Sequence, residues 1–177
     1  MFRKITQIII LACIVAVAAI IQFSFIFALP PFWAANNLLL IILIFALFFY
    51  DLRSALGVAF IGGLVLDLFS FHFFGFYILA LFLTAWPMEA VLRGWLTNRS
   101  LYSFGLLILL ATVLYNLLVA CLAYFFSAGP SEFFLTEAAF WRSLGYQCLW
   151  SGLAALLLFS LAGAATRRLK PFFLEKK

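Results

Sequence analysis

The chain has 177 residues, of which 68% are hydrophobic and only 10% are charged, and its formal net charge is +5. A water-facing surface needs roughly a quarter of charged residues, so this composition excludes a soluble enzyme or carrier. The basic residues form no stripe with interleaved polar residues, which argues against nucleic-acid binding. So much apolar side chain is solvated by lipid, and the length allows one compact membrane domain.

Six apolar segments come close to the roughly 20 residues that a membrane-spanning helix needs. They cover about residues 5–29, 32–50, 52–70, 76–92, 101–126 and 141–165, and residues 166–177 form a basic tail. Pro30 and Pro31 end the first segment because proline cannot continue a helix, and Pro87 is expected to kink the fourth. The sequence therefore predicts an all-α polytopic membrane protein with a bundle of six transmembrane helices.

The basic residues are distributed unevenly between the two ends of these segments. With six spans, ten of the eleven Lys and Arg fall on the side that holds both termini, and Arg142 alone falls on the other side, together with Glu132 and Glu137. Cytoplasmic loops of membrane proteins carry the excess of Lys and Arg. The sequence predicts that both termini are cytoplasmic and that the final segment leads into a cytoplasmic tail.

A single carboxylate, Asp67, stands near the end of the third apolar segment. Residues four apart share a helix face, so Ala55, Ala59 and Gly63 form a stripe of small residues that leads to Asp67. Such stripes let helices approach closely in lipid, and we assign these three residues to helix packing. Asp67 and Ser70, which lies on nearly the same face, are therefore expected to point into an interface between helices.

Two interpretations of Asp67 follow from this position. An ionisable group inside the membrane is a candidate functional site. Alternatively, Asp67 ties the outer end of the third helix to its neighbours, either by accepting hydrogen bonds from amides of residues 71–75 and capping the fourth helix, or by pairing with Arg142. We favour the structural interpretation, because proton relays and transporters usually use more than one such group.

The remaining polar residues of the apolar segments suggest local structural roles. Glu89 and Arg93 are four residues apart, in the order that favours an ion pair on a helix. Asn116 and Gln147 are expected to form hydrogen bonds between helices five and six. His72 is interpreted as a packing residue. The three cysteines are expected to be free and buried, and these are Cys13, Cys121 and Cys148.

The sequence contains no enzyme signature. It has a single histidine and no HExxH motif, no glycine-rich phosphate loop and no set of groups that forms a catalytic triad. The sequence offers no set of side chains at a spacing suitable for binding a metal ion. We therefore predict a protein that is not an enzyme and that uses neither a cofactor nor a metal.

Residues 37–100 carry a likeness to a known family. Asn-Leu-Leu-Leu-Ile opens the second helix, Gly-Leu-Val-Leu-Asp-Leu-Phe-Ser ends the third, Gly75 precedes the fourth, and Leu92-Arg93 ends it. In these motifs, in length and in its basic ends, the chain resembles the MreD family of bacterial rod-shape-determining membrane proteins. We group Gly75 with the helix-packing residues on this basis.

The resemblance implies a non-enzymatic component of the bacterial cell-elongation machinery in the inner membrane. Its partners would be cytoskeletal filaments, a single-span membrane protein of the MreC type and the peptidoglycan synthases. We expect partner contact through lipid-facing surface or through the outer loop at Phe133, Phe134 and Leu135, since exposed apolar patches mark interaction sites.

The alternative function is transport. Substrate-binding S-components of energy-coupling-factor vitamin transporters are six-helix proteins of this size, and the MreD family is thought to be similar to them in fold. Ala12 and Ala16 form a small-xxx-small pair of the kind that those subunits use for docking. A vitamin site, however, combines an apolar pocket with several convergent polar groups, and the outer loops offer few of these.

Overall fold

The structure is a computed structural model that describes residues 15–22, 24, 37–70, 73–95, 101–126 and 138–169, without the side chains of 101, 158, 159 and 161–169. Within these ranges the chain is helical, with no strand. The helices are α1 at residues 15–22, α2 at Leu38–Phe49, α3 at Leu52–Phe69, α4 at Phe76–Gly94, α5 at Leu101–Phe126 and α6 at Ala138–Leu169.

Three of the described helices are long and apolar enough to cross a membrane. These are α3, α4 and the part of α5 at Tyr102–Phe126. The predicted bounds of α3 and α5 agree with the structure to within one residue, and α4 continues to Gly94 instead of ending at Leu92. The number of six spans stays a prediction.

The second helix is shorter than the sequence predicts. We expected it to run from about residue 32 to residue 50, but α2 has only 12 residues and begins after Asn37, which is its N-cap. The Asn37 side chain accepts a hydrogen bond from the Leu40 amide, as N-cap asparagines commonly do. Apolar composition alone did not reveal this cap, because residues 32–35 are as apolar as a helix interior.

The last helix is longer than expected at both ends. It begins at Ala138 instead of residue 141 and continues to Leu169. The first residues of the predicted tail, 166–169, are therefore helical. Basic side chains do not interrupt a helix, and they are favourable in its last turn, where they lie near the negative end of the helix dipole.

The short helix α2 lies at the centre of the bundle. Eight of its 12 residues are buried, and it packs against α3, α4, α5 and α6. Near its C-terminal end, the ring of Phe48 packs on Phe104 of α5, with ring centroids 5.1 Å apart. Phe45 and Phe49 contact the same ring. The aromatic contacts fix the level of α2 relative to α5.

That level shows that α2 extends along only half of α5. Phe48 and Phe104 are at the same height, and Asn37 lies 11 residues before Phe48, which corresponds to about 17 Å. Tyr115 lies 11 residues after Phe104 and faces Asn37, in agreement with this count. From Tyr115, α5 continues for another 11 residues to Phe126, again about 17 Å. The N-terminal end of α2 therefore lies deep inside the bundle.

Exposed aromatic side chains cluster near both ends of the bundle. Tyr50, Trp95 and Tyr102 are exposed where α2 and α4 end and α5 begins. At the opposite end, exposed aromatic side chains follow the ends of α3 and α5 and the beginning of α6, namely Phe69, Phe74, Tyr124, Phe125, Phe126 and Trp141. Tyr and Trp are enriched where membrane helices meet the headgroups, so this distribution fits a protein embedded in a bilayer.

Candidate functional site

The stripe of small residues on α3 packs directly against α4. Ala55, Ala59, Gly63 and Asp67 are all buried. A Cβ atom added at Gly63 would lie 2.7 Å from the Cα of Ile78, a distance that real Cβ atoms essentially never reach. The absence of a side chain at Gly63 therefore allows the backbones of α3 and α4 to approach, and this contact brings Asp67 to the beginning of α4.

Asp67 accepts hydrogen bonds from three backbone amides at the N-terminus of α4. Its Oδ1 accepts from the Tyr77 amide at 2.8 Å. Its Oδ2 accepts from the Gly75 amide at 3.1 Å and from the Ile78 amide at 3.4 Å. The first amides of a helix have no partner within the helix, and a negative charge is favourable at this end of the helix dipole. Asp67 thus caps α4 from a neighbouring helix, as the structural interpretation expects, but two of the three donors, Tyr77 and Ile78, lie beyond the predicted residues 71–75.

Gly75 has a different role from the one predicted. It is the N-cap residue of α4 and has no side chain with which to cap the helix, so the neighbouring carboxylate supplies the acceptor. Its φ is +97°, a conformation that residues other than glycine rarely adopt. A Cβ at Gly75 would meet open space, so close helix packing is not the reason for glycine here. Glycine is favoured at this position because of the backbone conformation.

We expect Gly75→Ala to destabilise the protein by about 1 kcal/mol, because the added Cβ is strained at positive φ although nothing obstructs it. Gly75→Asn should be milder, since asparagine tolerates this region better than alanine. The measurement is thermal unfolding in detergent. Equal stability of the alanine and glycine proteins would show that the turn does not depend on this conformation.

Two further expectations for the surroundings of Asp67 have different outcomes. Arg142 is exposed, and within the described residues it forms no salt bridge with Asp67, so that pairing was wrong. Ser70 is the C-cap residue of α3, and its hydroxyl donates to the backbone carbonyl of Asp67 at 3.3 Å. Ser70 therefore helps to end α3 and leaves both carboxylate oxygens of Asp67 to α4.

A second polar cluster surrounds the beginning of α2, and the sequence did not predict it. Gln22 of α1 is buried; its Oε1 accepts from the Leu39 amide at 3.0 Å, and its Nε2 donates to Asn37 Oδ1 at 3.3 Å. The buried Tyr115 of α5 faces the Asn37 side chain. These side chains satisfy backbone amides that lie deep in the bundle, where water is not available. Gln22 and Asn37 are polar residues within apolar segments, and this was the only sequence signal for the cluster.

A third polar group joins α5 to α6. Asn116 Nδ2 donates to Gln147 Oε1 and to the backbone carbonyl of Thr112, the latter at 2.8 Å. One turn away, the hydroxyl oxygens of Thr112 and Ser151 are 3.2 Å apart. The predicted bond between Asn116 and Gln147 is confirmed. The spacing of four residues on each helix was the signal for Thr112 and Ser151, which sequence reasoning missed.

The predicted ion pair on α4 is present. Arg93 lies 2.5 Å from Glu89, whose side chain is largely covered, whereas the Arg93 side chain is 78% exposed. An ion pair between residues four apart on a helix, with one partner exposed, contributes only a few tenths of a kcal/mol to stability. Pro87 lies inside α4, which continues as a helix on both sides of it.

The expectation that the cysteines are buried was wrong for Cys121, which is free but exposed; Cys148 is free and half-buried. Several other predicted residues lie outside the part of the chain that the structure describes. These are Ala12, Cys13, His72, Phe133, Phe134 and Leu135, together with the outer ends of the first predicted segment.

Comparison with known proteins gives one match. The sequence profile of a family described as rod shape-determining protein MreD matches residues 2–163. No curated protein and no solved structure matches the chain. The family match covers most of the chain and extends on both sides of residues 37–100, which carried the sequence resemblance. The chain therefore belongs to the MreD family of rod shape-determining proteins.

Proposed function

We propose that this protein is a non-enzymatic scaffold of the bacterial cell-elongation machinery in the inner membrane. It regulates cell shape and peptidoglycan synthesis by holding protein partners, among them a single-span membrane protein of the MreC type. The family to which the chain belongs is one of shape-determining proteins. The apolar helices support a place in the membrane, because α3, α4 and α5 are each long enough to span it.

The observation that carries this proposal is the use of the buried polar side chains. Asp67 has its two oxygens occupied by amides of α4, Gln22 and Asn37 bond the beginning of α2, and Asn116 bonds Gln147. In the described ranges these groups are paired with one another or with the ends of neighbouring helices, and they hold those helices together. A small-molecule site needs several convergent polar groups, so this arrangement favours a role in holding partners.

The loop between α5 and α6 is the partner surface that we propose. It contains Phe133, Phe134 and Leu135. The described residues on both sides of it, Phe125 and Trp141, are large exposed aromatic side chains. An apolar run that continues such a surface is suited to packing against an apolar segment of a membrane partner.

Co-purification in detergent with an MreC-type protein tests this function. We expect the wild-type protein to retain the partner and the variant with serine at Phe133, Phe134 and Leu135 to lose at least nine-tenths of it, with unchanged helix content. Phe74→Ser is the matched control, because Phe74 is an exposed aromatic side chain in a different loop near the same end. Its complex should persist.

Two results would contradict the proposal. One is full retention of the partner by the triple-serine variant, which would remove the loop from the interface. The other is tight binding of a vitamin together with co-purification of an ATP-hydrolysing module and no MreC-type protein. That result would assign the chain to the S-component alternative.

Six spans with both termini in the cytoplasm are part of the same proposal, supported by the distribution of basic residues. A cysteine introduced at Ser131, in a background without the native cysteines, should react with an impermeant thiol reagent added to intact spheroplasts. A cysteine at Asn98 should react only after the membrane is opened. The reverse pattern would invert the topology. Equal labelling of both sites in intact spheroplasts would place Asn98 and Ser131 on the same side of the membrane and rule out α5 as a single span between them.

A further inference from the structure

Two arginines lie at the same end of the antiparallel pair α3 and α4. The hydrogen bond from the Tyr77 amide to Asp67 Oδ1, at 2.8 Å, fixes the level at which the two helices meet. Arg53 lies 14 residues before Asp67, and Arg93 lies 16 residues after Tyr77, which corresponds to about 21 Å and about 24 Å along the helices. Both arginines are exposed, and their depths differ by less than one helical turn.

Two amphipathic aromatic side chains accompany these arginines. Trp95 is the C-cap residue of α4 and is 89% exposed, and Tyr102 in the first turn of α5 is 85% exposed. Since α4 packs on both α3 and α5, the four side chains project from one end of three adjacent helices. We call Arg53, Arg93, Trp95 and Tyr102 the arginine–aromatic cluster. Its composition is the one that membrane proteins place at the level of lipid headgroups.

Arg93 pairs with Glu89 through one guanidinium nitrogen and has further N–H donors for a second acceptor. One terminal nitrogen of its guanidinium lies 2.5 Å from Glu89 Oε1, which holds the side chain at the helix end. A guanidinium has five N–H donors in a planar fork that matches phosphate oxygens, so the pair with Glu89 leaves others for a ligand. Asp51 is exposed at the same end, but within the described residues it forms no salt bridge with Arg53.

Exposed apolar side chains continue from the cluster along α4 and α5. On α4 these include Leu83 and Trp86, and on α5 they include Leu106 and Leu110. A ligand that places an anionic phosphate beside the arginines and apolar chains along these helices matches both parts of the surface. A soluble acidic peptide would match only the charged part.

We propose that the arginine–aromatic cluster binds the phosphate headgroup of an anionic phospholipid, with the acyl chains lying against α4 and α5. Arg53 and Arg93 supply the charge, and Trp95 and Tyr102 lie at the level of the glycerol and carbonyl groups. Basic residues beside transmembrane helices contribute to such binding through their charge near the membrane surface. The binding is expected to be independent of any protein partner.

Native mass spectrometry of detergent-solubilised protein, with added phosphatidylglycerol or phosphatidylcholine, tests the proposal. The wild-type protein should retain phosphatidylglycerol preferentially. Arg53→Gln with Arg93→Gln should weaken phosphatidylglycerol binding about 30-fold, or about 5-fold for each arginine, and leave phosphatidylcholine binding unchanged. Arg142→Gln removes an exposed arginine from the opposite end and is the matched control, with binding as in the wild type.

Arg93→Lys separates loss of the ligand from loss of the fold. A lysine keeps the charge beside Glu89 and binds phosphate as a point charge, so this variant should retain most of the preference for phosphatidylglycerol. The proposal is overturned if the double glutamine variant keeps that preference while its helix content and melting temperature match those of the wild type. It is equally overturned if Arg142→Gln loses as much binding as the double variant.

Discussion

Replacing Asp67 by alanine is expected to destabilise the protein by about 3 kcal/mol. The substitution leaves three amides at the beginning of α4 without their acceptor. Each buried donor left without a partner costs about 1–3 kcal/mol, and relaxation of the helix end recovers part of this. For a chain of this length, each kcal/mol lowers the melting temperature by about 2–4 °C. The melting temperature in detergent should therefore fall on the order of 10 °C.

Asp67→Asn is the variant to compare with Asp67→Ala, because it keeps part of the capping side chain. Asparagine has one acceptor oxygen, whereas the site uses Oδ1 for Tyr77 and Oδ2 for Gly75 and Ile78. An asparagine that turns its oxygen toward the Gly75 and Ile78 amides keeps two of the three bonds, and its NH₂ group then faces only the Tyr77 amide, so its destabilisation should be roughly half that of alanine. If Asp67→Ala kept the wild-type melting temperature and abolished rod-shape complementation, the carboxylate would have a direct function and the capping interpretation would be wrong.

The second large effect is expected at the close approach of α3 and α4. In Gly63→Ala the new methyl group meets the Cα of Ile78 at 2.7 Å and its nitrogen at 2.9 Å, and neither backbone atom can move without displacing α4. We expect a loss of about 2 kcal/mol, which is typical of overpacking in a close-packed interior. The displaced Ile78 amide is also one of the donors to Asp67, so the effects of Gly63→Ala and Asp67→Ala should be less than additive.

Two other glycines of α3 provide matched controls. Gly62→Ala meets mainly the Leu39 side-chain terminus, at 2.6 Å, and a flexible side chain can move, so this variant should lose about 1 kcal/mol. Gly57 has nothing within 4 Å, and alanine there should stabilise the helix by about 0.5–1 kcal/mol. The order of melting temperatures should be Gly57→Ala, wild type, Gly62→Ala and Gly63→Ala. A melting temperature of Gly63→Ala at or above that of Gly57→Ala would disprove the close contact.

The sequence predicted the features that depend on local spacing. The stripe from Ala55 to Asp67 follows from the helical repeat, and the ion pair of Glu89 with Arg93 follows from a separation of four residues. The capping of α4 by Asp67 was also accessible, because a carboxylate at the end of one helix lies a short connection away from the unpaired amides of the next helix.

The features that sequence reasoning missed depend on contacts between distant residues. Gln22 bonds the Leu39 amide across 17 positions, and Thr112 lies beside Ser151 across 39 positions. Periodicity within one helix carries no information about which face of another helix it meets. Gly75 was assigned to packing because the sequence does not show whether a glycine permits close approach of two helices or a positive φ. Only the backbone angle distinguishes the two roles.

The short length of α2 has a consequence for how the chain enters the membrane. At about 18 Å, α2 alone is shorter than the hydrocarbon core of a bilayer, which is about 30 Å thick. Only Tyr50 and Asp51 separate α2 from α3, so we expect the two helices to insert together as a hairpin. Gln22, which accepts from the Leu39 amide, precedes α2 in the chain. During synthesis from the N-terminus, Gln22 is therefore made before α2, and the acceptor for the Leu39 amide is already present when α2 forms.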